Sequence, residues 1–393
     1  MRKIFRLILM TSILFAAAPV SSTFAGETST VQNPDPIRSA DGDVLCIPGN
    51  QNNVPDDCLM LGAAEILDSL ASMQMTYPLA PLPAVHPDAS LNKVDFRYAK
   101  LNIEYGESAG VYPSLDAAVA GGTPTRKIYG GLLIYLSYVQ QADVDGKHFL
   151  QLHSGEWVRA SPSVYREFQG LEFSKTPNND FGWVINESHP HSGPGYEYPE
   201  LNLTYYREDV IQIYDVRIVN GVEWYLINFN QWLDRPNVRQ VEINTQTPDG
   251  VSADRWIDIN LYEQTMAVYE NHELIFAALI ATGADPYFTQ PGVFQIYEKK
   301  PTETMSGSFE ADKSDYYYLE DVPWTMYFDK ARALHGAYWR TMFGYPQSHG
   351  CVNLSVGDSR WLFDWANVGD WVYVHDPSGQ TPTDPTAYSD GGA

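Results

Sequence analysis

The run Trp256-Ile257-Asp258-Ile259-Asn260-Leu261 places Ile257, Ile259 and Leu261 at alternate positions. Met266 to Tyr269 follow as a second apolar run, Asn271-His272-Glu273 make a turn, and Leu274 to Ala281 form a third run. Period-two alternation separated by turn residues reads as strands, so this stretch opens as a β-meander. Downstream, Thr289-Gln290-Pro291-Gly292 turns into a strand over Val293–Ile296, and Val322–Phe328 is a further aromatic strand. One helix is expected here. Ser355 with Asp358 three residues on resembles a capping box, and Trp361, Leu362, Trp365 and Ala366 form its apolar stripe. Asn367 and Gly369 end that helix, and Trp371–Val374 form a last strand.

Composition agrees with a β-rich chain. Among 393 residues there are 26 Tyr, 16 Phe and 10 Trp beside 29 Gly and 26 Pro, which favours short strands and many turns. Hydrophobic residues make up 44% and charged residues 19%, enough apolar surface to exclude wholesale disorder. A net charge of −24 would repel nucleic acid and anionic membranes, so neither is an expected partner.

Residues 1–25 read as a signal peptide: Arg2, Lys3 and Arg6 precede the apolar Leu7–Ala18, and Thr23-Phe24-Ala25 offers a cleavage site before Gly26. About a dozen apolar residues are too few to span ~30 Å of hydrocarbon. The chain is therefore expected to be exported, to the cell wall or outside, or to the periplasm where an outer membrane exists. In an oxidising compartment Cys46 and Cys58 are expected to form a disulfide. That leaves Cys351 as the odd cysteine, either an intermolecular link or a reactive thiol. Residues 26–95 read as an N-terminal extension and linker, with a helix from about Leu59 to Met73 and the Pro-rich Pro78–Pro87.

An internal repeat comes next. Asp145-Gly146-Lys147-His148-Phe149-Leu150 recurs as Asn220-Gly221-Val222-Glu223-Trp224-Tyr225, and Trp157 recurs as Trp232, all at an offset of 75 residues. Asp-Gly and Asn-Gly between apolar runs signal tight hairpins. Residues 96–168 and 169–245 thus read as two small β-barrel-like repeats, and they resemble bacterial Src-homology-three-like wall modules. They act either as contacts to glycan or wall, or as spacers. Residues 250–376 form the next domain, and 377–393 a disordered tail.

Several chemical motifs fail on context. Gly106-Glu107-Ser108-Ala109-Gly110 fits the nucleophile-elbow pattern, but Pro113 and Gly121-Gly122 argue against the helix that must follow. His272-Glu273 lacks a second zincin histidine, and His189 and His191 lie in a Pro/Gly loop. One constellation remains, His335-Gly336 with Ser348-His349-Gly350-Cys351-Val352-Asn353. Thiol acyl transfer needs an accessible thiolate, a base, and donors aimed at the developing oxyanion. Cys351, just before a helix start, suits the first requirement. His335 or His349 suits the second. Gly350 allows a sharp turn that directs its own N–H and that of Cys351 toward one point. The competing reading has His335, His349 and Cys351 bind zinc with an open position.

These residues resemble the L,D-transpeptidase family with its YkuD-type catalytic domain, whose signature is a His-Gly and then Ser-His-Gly-Cys-x-Arg or Asn. The stretch from Thr289 to Ile296 resembles a second family element. The fold class implied is mostly β, the two repeats being followed by a β-sandwich-like catalytic domain with one helix after the catalytic cysteine. The resemblance implies that Cys351 attacks the third residue of a peptidoglycan stem peptide and expels the terminal D-Ala. His335 would be the base, oriented by a backbone carbonyl near Gly336. Gly350, His349, Ser348, Gly336 and Asn353 would form the oxyanion site and pocket, with Tyr327 and Tyr338 touching substrate. A second stem peptide would accept the acyl group, with no cofactor and no metal. Two other readings stand beside it: an L,D-carboxypeptidase using water, and a wall-binding module whose last domain is non-catalytic or binds zinc.

Overall fold

Numbered from Arg255, the elements of the C-terminal half are β1 (Arg255–Asn260), β2 (Thr265–Glu270), β3 (Glu273–Leu279), β4 (Gly292–Gln295), β5 (Glu298–Gly307) and β6 (Tyr317–Asp329). They continue with β7 (Arg332–Gly336), β8 (Val352–Leu354), α1 (Val356–Trp365) and β9 (Trp371–His375). The computed structural model describes residues 70–72, 75 and 79–388. The signal peptide, Cys46, Cys58 and most of the helix expected from Leu59 lie outside the described residues; residues 70–72 are helical.

The meander is present, with β1 antiparallel to β2 and β2 to β3. Asn271 and His272 turn the β2–β3 hairpin with positive φ of 54° and 62°. The strict alternation describes only one face, however. Trp256 is as buried as Ile257, and its ring stacks on Tyr269 at 4.8 Å. β1 is central, flanked by β2 and by β9 in parallel, and β4 closes that side in the order β3-β2-β1-β9-β4. A strand covered on both faces loses its polar side.

A second sheet runs β8-β7-β6, with β5 paired to β6 in a long hairpin. Its Leu334, Val352 and Leu354 share one buried core with Ile257, Val268, Phe276 and Leu279 of the first sheet. The site strands therefore have a packed sandwich beneath them.

This second sheet does not stop at the C-terminal half. Tyr317–Leu319 of β6 pair in parallel with Leu133–Tyr135, and Arg97–Lys100 and Ser161–Ser163 continue the sheet beyond them. The first sheet is extended likewise by Leu171–Phe173 and then Ala84–Val85. Where the sequence suggests modules in series, the described chain shares its sheets, and all of it belongs to one compact unit. Alternation cannot reveal this, because a strand's period does not name its neighbour.

Both repeat hairpins form at the offset of 75 residues. Gln140–Val144 pairs with Lys147–Gln151, and Asp215–Val219 with Val222–Asn228. The turns Asp145-Gly146 and Asn220-Gly221 have φ of 51° and 70°, and 51° and 79°. Two consecutive left-handed residues match the twist of paired strands, which explains Asp-Gly and Asn-Gly. Trp157 packs near Phe149, and Trp232 near Trp224, each pair within one buried cluster. The described sheets of both copies are open; none closes into a barrel.

A short helix, Leu115–Ala120, does follow Pro113. Ser114 caps it and Gly121, at φ 64°, ends it, so these residues bound a helix rather than forbid one. Ser108 stands exposed at the start of Ser108–Tyr112.

Helix α1 starts as read, with the Ser355 hydroxyl accepting the Asp358 N–H at 3.1 Å. The Asp358 carboxylate does not return to the Ser355 amide. It accepts the Ser355 hydroxyl at 2.7 Å and the Gly170 N–H at 2.5 Å, tying α1 to the segment that enters the first sheet. After Asp376 the chain has a defined path to Tyr388, with a 3-10 turn at Pro385–Ala387.

Candidate active site

β7 and β8 pair in parallel, with Leu334 beside Val352 and His335 beside Asn353. Parallel neighbours cannot be joined by a tight turn and need a crossover of about a dozen residues or more. Residues 337–351 make that crossover, which is the physical reason for the wide spacing between His335 and Cys351. Cys351 is its last residue, fully buried at the foot of β8.

The Cys351 sulfur accepts the Ala333 N–H at 3.3 Å, and its S–H donates to the Ala331 carbonyl at 3.7 Å. The sequence favours a thiolate here because a helix begins nearby. Burial outweighs that and pushes the thiol up to about 12, although the Ala333 amide and the Arg332 charge act the other way. At rest Cys351 is therefore a thiol.

His335 is also fully buried. Its Nδ1 lies 3.3 Å from the Gly336 carbonyl, and its Nε2 lies 3.1 Å from the Asn353 side-chain nitrogen. Burial is the main reason its pKa falls to about 4; the Arg340 charge adds to this and the Gly336 carbonyl opposes it. The ring is therefore neutral at physiological pH. A Cβ on Gly336 would stand 2.6 Å from the Ser359 hydroxyl oxygen, so only glycine lets β7 approach α1 this closely.

The crossover loop is held from inside. Ser348 donates its hydroxyl to the Cys351 carbonyl at 2.6 Å and accepts the Gly350 N–H at 3.1 Å. Gly350 sits at φ 122°, and its carbonyl accepts the Thr289 hydroxyl at 2.8 Å. Thr289 in turn accepts the Gly283 N–H at 2.9 Å. The Gly350 amide, expected to join that of Cys351 at an oxyanion site, is committed within the loop instead. Asn353, expected to line the pocket, is buried between His335 and Arg340.

The rim is aromatic. The half-buried His349 ring stacks on Phe309 at 4.8 Å and meets Tyr287 at 4.8 Å. Phe309 belongs to the tip of the β5–β6 hairpin, where the Asp315 carboxylate accepts the Phe309 and Glu310 amides. With His349 held there, the zinc reading loses its geometry: among the described residues no three His, Cys, Asp or Glu side chains are grouped to hold one ion. Tyr327 and Tyr297 stack at 6.1 Å, and burial first, with a smaller contribution from the nearby Cys351, raises the pKa of both hydroxyls. Tyr338 is elsewhere. It is buried, stacked on Tyr98 at 3.5 Å, with its hydroxyl donating to the Glu320 carbonyl at 2.7 Å, so it packs as part of a core cluster.

Three participants carry no sequence signal of their own. Arg340 lies in the crossover loop and donates from Nε to the Asn353 carbonyl oxygen at 2.7 Å. Arg332, buried beside the cysteine loop, pairs with Asp329 at 2.7 Å and lies 5.3 Å from the Tyr388 ring centre. Phe309 arrives from a hairpin tip whose contact with His349 no local pattern announces.

Comparison with known proteins bears on this same region. Residues 254–374 match the YkuD L,D-transpeptidase catalytic domain. The chain is 27% identical over 168 residues to L,D-transpeptidase 1 of Mycobacterium tuberculosis, covering 39% of this chain and 65% of that protein. It is 22% identical over 135 residues to a putative L,D-transpeptidase, YciB, of Bacillus subtilis, covering 30% of this chain and 63% of that one. The chain thus spans just under two thirds of the length of these relatives. Among solved structures, an L,D-transpeptidase from Stackebrandtia nassauensis is 28% identical over 35% of this chain and 60% of that one, with a TM-score of 0.27. The catalytic domain of an Enterococcus faecium L,D-transpeptidase is 26% identical over 32% of this chain and 100% of that one, with a TM-score of 0.28.

Proposed function

We propose that the protein, whose residues 254–374 match the YkuD L,D-transpeptidase catalytic domain, is a cysteine-dependent peptidoglycan L,D-transpeptidase. The observation that supports this reading is the parallel pairing of β7 with β8, which sets His335 beside Asn353, two residues along the chain from Cys351, with all three buried. In the reaction proposed, the Cys351 sulfur attacks the carbonyl carbon of the third residue of a donor stem while its proton passes to His335. The bond to the terminal D-Ala breaks, and His335 returns the proton to the leaving amine. A thioester remains. The side-chain amine of an acceptor stem then attacks it, His335 takes that proton and passes it to the departing sulfur, and the thiol and the neutral ring are restored as the new amide forms.

A thiol raised to about 12 beside a ring lowered to about 4 is a neutral pair, so proton removal accompanies attack rather than preceding it. For His335 to accept that proton, its Nε2 lone pair must leave Asn353 for the sulfur. Contacts of this kind commonly tighten only when substrate is bound. Tyr327 and Tyr297 then flank the donor, with His349 at the rim. Export to the cell wall follows from the same reading, as do roles for residues 96–168 and 169–245 as wall-contacting or spacing modules.

Incubation with defined muropeptides and mass analysis of the products tests the reaction. A dimer joined through third residues is expected; tripeptide alone would show hydrolysis instead. A carbapenem, a strained acyl donor, should add one inhibitor mass at Cys351 and none to Cys351→Ala. Labelling abolished by chelator and restored by zinc would overturn the thiol mechanism.

A further inference from the structure

We propose that Arg340 is a positioning residue that fixes which nitrogen of His335 carries the proton. The argument is a chain of donors. A guanidinium has only donors, so its Nε–H at 2.7 Å compels Asn353 to present its carbonyl oxygen on that side. The Asn353 amide is thereby oriented, and its NH2 must point the other way, to His335 Nε2 at 3.1 Å. A nitrogen that receives a donor must be the unprotonated one. The proton of the neutral ring is left on Nδ1, which donates it to the Gly336 carbonyl at 3.3 Å. The basic lone pair is thus placed on Nε2 by a residue that does not touch the ring.

Arg340 is itself held in place. It donates to both the backbone carbonyl and the side-chain oxygen of Gln347, and its own N–H donates to the Ala337 carbonyl at 3.0 Å. Burial lowers its pKa only to about 10, so the donor set is intact at neutral pH. Asn353 cannot rotate away as a whole, because its backbone exchanges two hydrogen bonds of 2.9 Å with Ala281. The position that the family signature fills with Arg or Asn is Asn here, and a cation reaches it from thirteen residues upstream.

This inference rests on His335 being the base, but its test does not need the reaction. Histidine-labelled protein without substrate is read by ¹⁵N NMR, which separates the two neutral tautomers. Wild type should show the Nδ1–H form. Arg340→Lys keeps a donor-only group and should keep that form, whereas Arg340→Met frees Asn353 to flip and should give a mixture or the Nε2–H form. If Arg340→Met does not fold, Asn353→Asp decides. A carboxylate offers only acceptors, so it should move the ring proton to Nε2. Carbapenem labelling should slow at least about tenfold in Arg340→Met and recover to within about threefold in Arg340→Lys. An Nε2–H ring in the wild type, or a tautomer unchanged in both Arg340→Met and Asn353→Asp, overturns the proposal. A correct tautomer in a protein that makes no cross-link would overturn the function above and leave this arrangement standing.

Discussion

The two flanks of Cys351 are built from different materials. On the inner side His335 and Asn353 are fully buried, and each polar atom of their side chains has a partner that dictates its role. On the outer side His349, Phe309, Tyr287 and Tyr327 form a partly exposed aromatic rim rich in ring contacts, with the Tyr287 hydroxyl donating to Glu310 at 3.3 Å. A buried hydrogen bond cannot be exchanged for water, so the inner flank fixes one arrangement. Stacked rings tolerate shifts, so the outer flank can adapt to a substrate.

The largest contrast should come from the two histidines. His335→Ala should slow carbapenem labelling by roughly 10²–10⁴, the range expected for a general base. His349→Ala should slow it no more than about tenfold. The reverse order would show that the outer histidine is the base and that the inner flank is structural.

A second contrast appears in the acid stability of the fold. The His335 ring is held neutral with a pKa near 4, while in the unfolded chain it binds a proton below about 6.5. The unfolded state then holds more protons, and stability declines as pH falls between those two values. Wild type should lose on the order of 3 kcal/mol more than His335→Gln over that interval, measured by denaturant unfolding at each pH. Equal slopes would mean the ring is not held neutral.

The smallest effect belongs to the rim. Phe309→Leu keeps an apolar side chain but removes the ring stacked on His349, a contact worth about 0.5–1.5 kcal/mol. Labelling should slow by no more than about threefold, with the loss in saturation concentration rather than in limiting rate. A loss as large as that of His335→Ala would erase the distinction between the flanks.

The sequence names its elements where the chemistry is local. Alternation in the Trp256–Ala281 stretch, the capping Ser355, and the Asp-Gly and Asn-Gly turns each depend on residues within a few positions, and each appears where the pattern places it. Cys351 as candidate nucleophile and its two candidate bases are likewise visible as a motif. The neighbours of these elements are not visible. Tyr317–Leu319 lies beside Leu133–Tyr135, and Leu171–Phe173 beside β3, because exposed strand edges must find partners and the nearest compatible edge belongs to another module.

The same division runs through the site. Which residues could act was fixed by residue type and spacing along the chain. Their protonation states and partners were decided only by the fold. Burial turns the expected thiolate into a thiol and the histidine into a neutral ring, and it packs Tyr338 into a core cluster. Desolvation depends on what covers a group, and that is set by chain segments far away in sequence. Arg340 shows the limit most directly. Nothing in the sequence marks it, yet a guanidinium with no acceptor, once packed against Asn353, leaves the amide and then the imidazole one arrangement each.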